Sequence, residues 1–106
     1  MVEENIITIV KQYLASLSSF GIHANMAVLF GSFALGGNNE YSDIDIIVIA
    51  PEFDGTRDIS LIKSLWQATV CDYRIEPIPC GEKEWKTDRK RPILEIARRE
   101  GVVITA

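Results

Sequence analysis

Two aspartates stand at the start of a strand that has no polar side to turn to water: Ser42-Asp43-Ile44-Asp45-Ile46-Ile47-Val48-Ile49. A continuous apolar run, here Asp43 to Ala50 and stopped by Pro51, fits a strand covered on both faces. A strand of that kind needs helices packed above and below it, so the chain reads as α/β, a small sheet flanked by helices. Side chains alternate along a strand, so Asp43 and Asp45 project to one face while Ile44 and Ile46 turn the other way, into a core. Solvent-facing acids at a strand start are ordinarily followed by alternating polar residues, and none follow here. Two carboxylates at the mouth of a buried strand repel each other and are costly to bury unpaired. A hard divalent cation relieves that cost, and magnesium prefers oxygen ligands.

A second piece of sequence supplies a place for phosphate. Met26-Ala27-Val28-Leu29-Phe30 is another buried strand, and it runs straight into Gly31-Ser32 and a short helical turn over 32–36. Glycine lets the backbone turn sharply and lets a ligand approach. The amides that open the turn lack partners within it and attract phosphate, and the Ser32 hydroxyl adds a donor. Alone, Gly31-Ser32 is equally a strand-to-helix corner with a serine cap. Beside Asp43 and Asp45 it becomes a phosphate site next to a cation site. Transfer chemistry at two metals calls for a third carboxylate. Asp72, Arg74 and Glu76 alternate along a third strand expected over 70–76 and ended by Pro77 and Pro79. Glu76, near the strand end, is the first choice and Asp72 the reserve; an acid–base–acid ladder facing water fits the same spacing.

The rest of the chain is expected to frame these strands. Ile6, Ile7, Val10, Tyr13, Leu14 and Leu17 recur at helical spacing within 3–19, and Ile59, Ile62, Leu65 and Trp66 within 57–68. Gly36-Gly37-Asn38-Asn39 reads as a loop. A short helix near 82–88, a helix from Pro92 to Glu100 with Gly101 past its end, and a closing hydrophobic stretch Val102-Val103-Ile104 complete the order.

One domain, 1–106, uses the whole chain, and 47 % hydrophobic content supports a folded core. No room is left for a dedicated acceptor domain, so a large substrate would be held partly by a partner or a second copy. The net charge of −4 makes nucleic acid an unlikely main ligand. The bases that are present crowd the C-terminal third, as Lys83, Lys86, Arg89, Lys90, Arg91, Arg98 and Arg99, and fit a solvated helical face or a flank toward an acidic partner. Cys71 and Cys80 match neither a zinc site nor a disulfide framework. No signal peptide and no apolar run of the ~18–20 residues a membrane span needs is visible, so the expectation is a soluble cytoplasmic protein. His23 is expected on the surface, and Trp66 and Trp85 in core or interface. Arg57 and Arg74 could reach a triphosphate, but spacing places neither.

Taken together, Gly31-Ser32-x-Ala34-x-Gly36, then Ser42-Asp43-Ile44-Asp45 and a hydrophobic run, resembles the nucleotidyltransferase superfamily that includes DNA polymerase beta, and within it the minimal nucleotidyltransferase branch. The core of the likeness spans Leu29 to Ile49, and a looser one reaches Ile104. The resemblance implies a mixed sheet flanked by helices, with Gly31 and Ser32 on the β- and γ-phosphates. It implies Asp43, Asp45 and Glu76 as catalytic carboxylates holding Mg2+, two ions in all. The implied reaction moves a nucleoside monophosphate, AMP from ATP, onto a hydroxyl and releases pyrophosphate. Small members of this branch pair with a helical HEPN protein as the antitoxin of a toxin–antitoxin module, and some adenylylate that toxin. Two departures stand out: Leu35 occupies a position where many relatives carry arginine, and Glu76 takes a place often held by aspartate.

Overall fold

A computed structural model describes residues 3–38, 41–55 and 58–106. Asn39 of the expected loop and Arg57 at the expected helix start lie outside the described residues. The sheet has four strands in the order β3-β2-β1-β4, formed by β1 (Met26–Phe30), β2 (Ile44–Ile49), β3 (Ile75–Cys80) and β4 (Val102–Thr105). β1 is antiparallel to β2 and β4, whereas β2 and β3 run parallel. A parallel pair needs a crossover; here it passes through α3 (Ile59–Gln67) and the 3₁₀ turn Ala68–Cys71. The sheet is therefore mixed, as the family resemblance implied.

Both faces of the central strands are covered, which is why β1 and β2 lack polar alternation. On one face Ala27, Leu29, Ile44, Ile46, Val48 and Ile75 meet α1 (Glu4–Leu17) and α3. The α1 stripe Ile6, Val10, Tyr13, Leu14 and Leu17 is buried, at the spacing read from sequence. The Tyr13 hydroxyl donates to the Leu65 carbonyl at 2.7 Å and ties α1 to α3. On the other face Val28, Phe30, Ile47, Ile49 and Cys80 meet Leu94 and Ala97 of α5 (Pro92–Glu100), with Trp85 of α4 (Glu82–Thr87) beside them. Each aliphatic side chain so buried contributes roughly 1.5–3 kcal/mol. Asp45 is the one residue of β2 that is not fully buried, and it shares the α4/α5 face with Ile47 and Ile49.

The third strand corrects the sequence reading. It was expected over 70–76 and ended by Pro77 and Pro79, but it runs from Ile75 to Cys80 with both prolines inside it. Ile44 N–H donates to the Arg74 carbonyl at 2.7 Å and Ala50 N–H to the Cys80 carbonyl at 3.1 Å, so even-numbered residues of this segment face β2. Pro77 and Pro79 then face the open edge, where a missing N–H costs no ladder bond. The closing stretch Val102-Val103-Ile104, not assigned to the sheet from sequence, pairs with β1 as the opposite edge.

Candidate functional site

β1 delivers the chain to Gly31, which adopts φ +74° and ψ −152° before α2 (Ser32–Leu35) begins. That conformation is reserved for glycine in practice. Space imposes the same choice, because a Cβ on Gly31 would lie 2.5 Å from Asp45 Oδ2. The turn is thus pressed directly against the carboxylate of the neighbouring strand, where Phe30 pairs with Asp45. Ala34 and Leu35 amides both donate to the Gly31 carbonyl at 3.1 Å. Ser32, one residue earlier, opens α2 half-buried at the same corner.

The parallel register brings the third acid in. Ile44 pairs with Ile75 and Asp45 with Glu76, so the last two carboxylates lie side by side on one face. Asp43, Asp45 and Glu76 lie close enough for each to bear on the ionisation of its neighbours. Both Asp45 and Glu76 are held above the usual carboxylate range. Desolvation is the first cause for each, and the charge of Asp43 adds to it. Asp43 itself is exposed, one residue ahead of β2.

Asp72, the reserve, is engaged elsewhere. It sits ahead of β3 and forms an ion pair with Arg74, Nη2 to Oδ2 at 2.7 Å. Arg74 hydrogen bonding and charge hold the Asp72 carboxyl below its ordinary value. Of the two candidates, Glu76 is the one brought to Asp43 and Asp45. Arg74, left unplaced by sequence, lies with its guanidinium carbon 5.8 Å from the Phe33 ring centroid, beside the Gly31-Ser32 turn. The signal that could have found it is the Asp72-x-Arg74 spacing, which allows the two side chains to pair locally.

A donor set of three carboxylates is all oxygen and suits magnesium, which keeps several sites for water and phosphate oxygens. Among the described residues no three His, Cys, Asp or Glu side chains converge as a ready-made cage. Asp43, Asp45 and Glu76 are therefore not gathered into a metal centre by the chain alone.

Other sequence expectations resolve locally. Arg98 spreads over Trp85 with its guanidinium carbon 4.7 Å from the ring centroid, and also pairs with Glu95. Arg91 binds Glu84 at 2.8 Å and Arg89 binds Glu95 at 3.0 Å. Much of the basic cluster thus fastens α4 to α5. His23 is a surface residue clasped by Glu52 through its amide and its Nδ1, both at 2.9 Å. Cys71 and Cys80 are free thiols, and among the described residues no helix is long and apolar enough to cross a membrane.

Comparison with known proteins agrees with this geometry. A crystal structure of a candidate nucleotidyltransferase from Sulfolobus solfataricus is similar in fold, with a TM-score of 0.66 at 18 % identity over 93 % of this chain and 78 % of that one. No curated protein matches. The family model described as nucleotidyltransferase domain matches residues 7–99, which include the Gly31-Ser32 turn and all three clustered carboxylates. The chain belongs to the nucleotidyltransferase domain family.

Proposed function

We propose that the chain is a magnesium-dependent nucleotidyltransferase of the minimal branch, moving AMP from ATP to a hydroxyl acceptor. The observation that supports the reading is the Gly31 turn pressed against the Asp45 carboxylate, with Glu76 in register beside Asp45 on the next strand. Gly31 and Ser32 bind the triphosphate, and Asp43, Asp45 and Glu76 hold two magnesium ions. When bound, the metal neutralises charge that develops on the transferred phosphoryl group and the departing pyrophosphate. The acceptor oxygen attacks the α-phosphorus, the bond from that phosphorus to the bridging oxygen breaks, and pyrophosphate leaves with the electron pair. Glu76, in register beside Asp45, takes the hydroxyl proton. A chain that acts on ATP in this way fits a cytoplasmic setting.

The test is calorimetric titration of a non-hydrolysable ATP analogue, with and without magnesium, into wild type and the Asp43→Asn, Asp45→Asn double variant. Binding that requires both the metal and the aspartates supports the reading. Undiminished nucleotide transfer by the double variant would sink it.

A second reading is favoured by α3. Ile59, Ile62 and Trp66 line one open groove with Lys63 and Gln67, and Ile59 is 69 % and Trp66 50 % exposed. Such a stripe fits a protein partner. In this reading the chain is an antitoxin that neutralises a HEPN-type partner by covering it, and neutralisation survives loss of both aspartates. A second copy of the chain would be the other occupant of that face.

A further inference from the structure

Among the described residues, the Gly31-Ser32 turn and α2 carry no cation. α2 reads Ser-Phe-Ala-Leu, and its last residue, Leu35, is 65 % exposed. A triphosphate brought there carries several negative charges toward three carboxylates, so some positive group besides the metal is needed to favour its approach.

Arg74 is built to be that group. Its amide and Nε both donate to Asp72 Oδ1, at 2.9 and 3.0 Å, and Nη2 donates to Oδ2 at 2.7 Å. This two-point grip holds the guanidinium plane in one orientation. The plane lies against Phe33, the residue that follows Ser32 in the turn. Nη1 has no partner among the described residues, and the side chain is 31 % exposed. The arginine is therefore anchored by Asp72 on one edge, with the charge of Glu3 also acting on it and Nη1 left for a ligand. Its carbonyl accepts from Ile44 N–H, the residue between the two aspartates, so the backbone of Arg74 is fixed to the same strand.

We propose that Arg74, held by Asp72 and seated on Phe33, is a phosphate-binding residue of the site and serves the oxygens of the triphosphate or of the pyrophosphate that leaves. The inference rests on the nucleotide reading above and adds a ligand contact to it. An arginine with no such role would serve only its local ion pair with Asp72 and add nothing to ligand affinity.

The experiment titrates inorganic tripolyphosphate and a non-hydrolysable ATP analogue, each with magnesium, into wild type, Arg74→Gln and Arg74→Lys, with thermal unfolding as the control for folding. One charge-assisted contact to phosphate is worth roughly tenfold in affinity or more. Arg74→Gln should therefore weaken both ligands by about tenfold or more while its unfolding midpoint stays close to wild type. Arg74→Lys should fall between, because it keeps the charge and loses the fork. Affinities for both ligands unchanged in Arg74→Gln would overturn the assignment and leave the nucleotide reading standing. Absence of binding to wild type would bring down the nucleotide reading, and this assignment with it.

Discussion

Asp45 and Glu76 stand opposite one another across the parallel β2–β3 pair, with the charge of Asp43 bearing on both. Partly desolvated and with Asp43 charged beside them, Asp45 and Glu76 are costly to ionise.

Stability should therefore rise when the repulsion is removed. The native carboxyls of Asp45 and Glu76 hold their protons more tightly than the unfolded chain does. Their contribution is most favourable below the ordinary carboxylate range of about 4 and declines as pH rises through their folded values. Metal-free Asp45→Asn should accordingly be more stable than wild type at pH 7, by a few tenths to about 1 kcal/mol after solvent screening, and the gap should close toward pH 4. Magnesium should raise the wild-type midpoint and leave that of the variant nearly unchanged. Thermal unfolding across pH, with and without the metal, reads both effects. A variant less stable than wild type at pH 7 would contradict the account.

Gly31→Ala should damage the site and the fold together. The new methyl group meets Asp45 Oδ2 at 2.5 Å, and the residue must also hold a left-handed φ of +74°. A strained backbone of this kind costs about 1–3 kcal/mol. The carboxylate cannot stay in place, so nucleotide affinity should fall well beyond what the lost stability explains. Urea unfolding measures the first loss, and titration of the analogue at a temperature where the variant remains folded measures the second.

Much of this site was legible because it is local. Gly31-Ser32 and Asp43-Ile44-Asp45 carry their geometry in the spacing itself, and the apolar run after Asp45 announces a strand covered on both faces. Glu76 is the first choice over Asp72 from sequence, but spacing alone does not exclude the reserve, since that depends on the β2–β3 register, a long-range property that no single segment contains. The prolines concealed that strand: Pro77 and Pro79 signal a stop in isolation and are harmless on an edge whose N–H groups face outward. The Val102–Thr105 strand was missed for a related reason, because four residues become a strand only when β1 is there to pair with them. Arg74 escaped because its meaning lies in Phe33, more than forty positions earlier in the chain.

Tyr13→Phe tests the helical layer behind the sheet. The Tyr13 side chain is fully buried, and its hydroxyl supplies the Leu65 carbonyl with a hydrogen bond between α1 and α3. The variant keeps the ring and removes the donor, so the cost should be about 1–3 kcal/mol. Denaturant unfolding should show the midpoint shift with an unchanged slope. Nucleotide affinity should hold, since the residue lies on the face of the sheet opposite Asp45.

The α3 face separates the two functional readings. Ile59 is largely exposed but Trp66 is half-buried, so Ile59→Asp with Trp66→Ser strips the groove of its apolar surface and should cost about 1–3 kcal/mol of folding stability, read by thermal unfolding beside the binding assays. Asp43, Asp45 and Glu76 belong to the opposite, α4/α5 side of the sheet, and nucleotide binding should match wild type. If the chain works by covering a HEPN-type protein, this double variant should lose neutralisation of that partner while Asp43→Asn, Asp45→Asn retains it. If it works by transferring a nucleotide to that partner, the aspartate variant should lose neutralisation whatever the α3 variant does. Co-expression of each variant with the partner, scored by growth and by the partner's mass, distinguishes the two. A partner that gains the mass of a nucleoside monophosphate only when Asp43 and Asp45 are intact would decide for transfer.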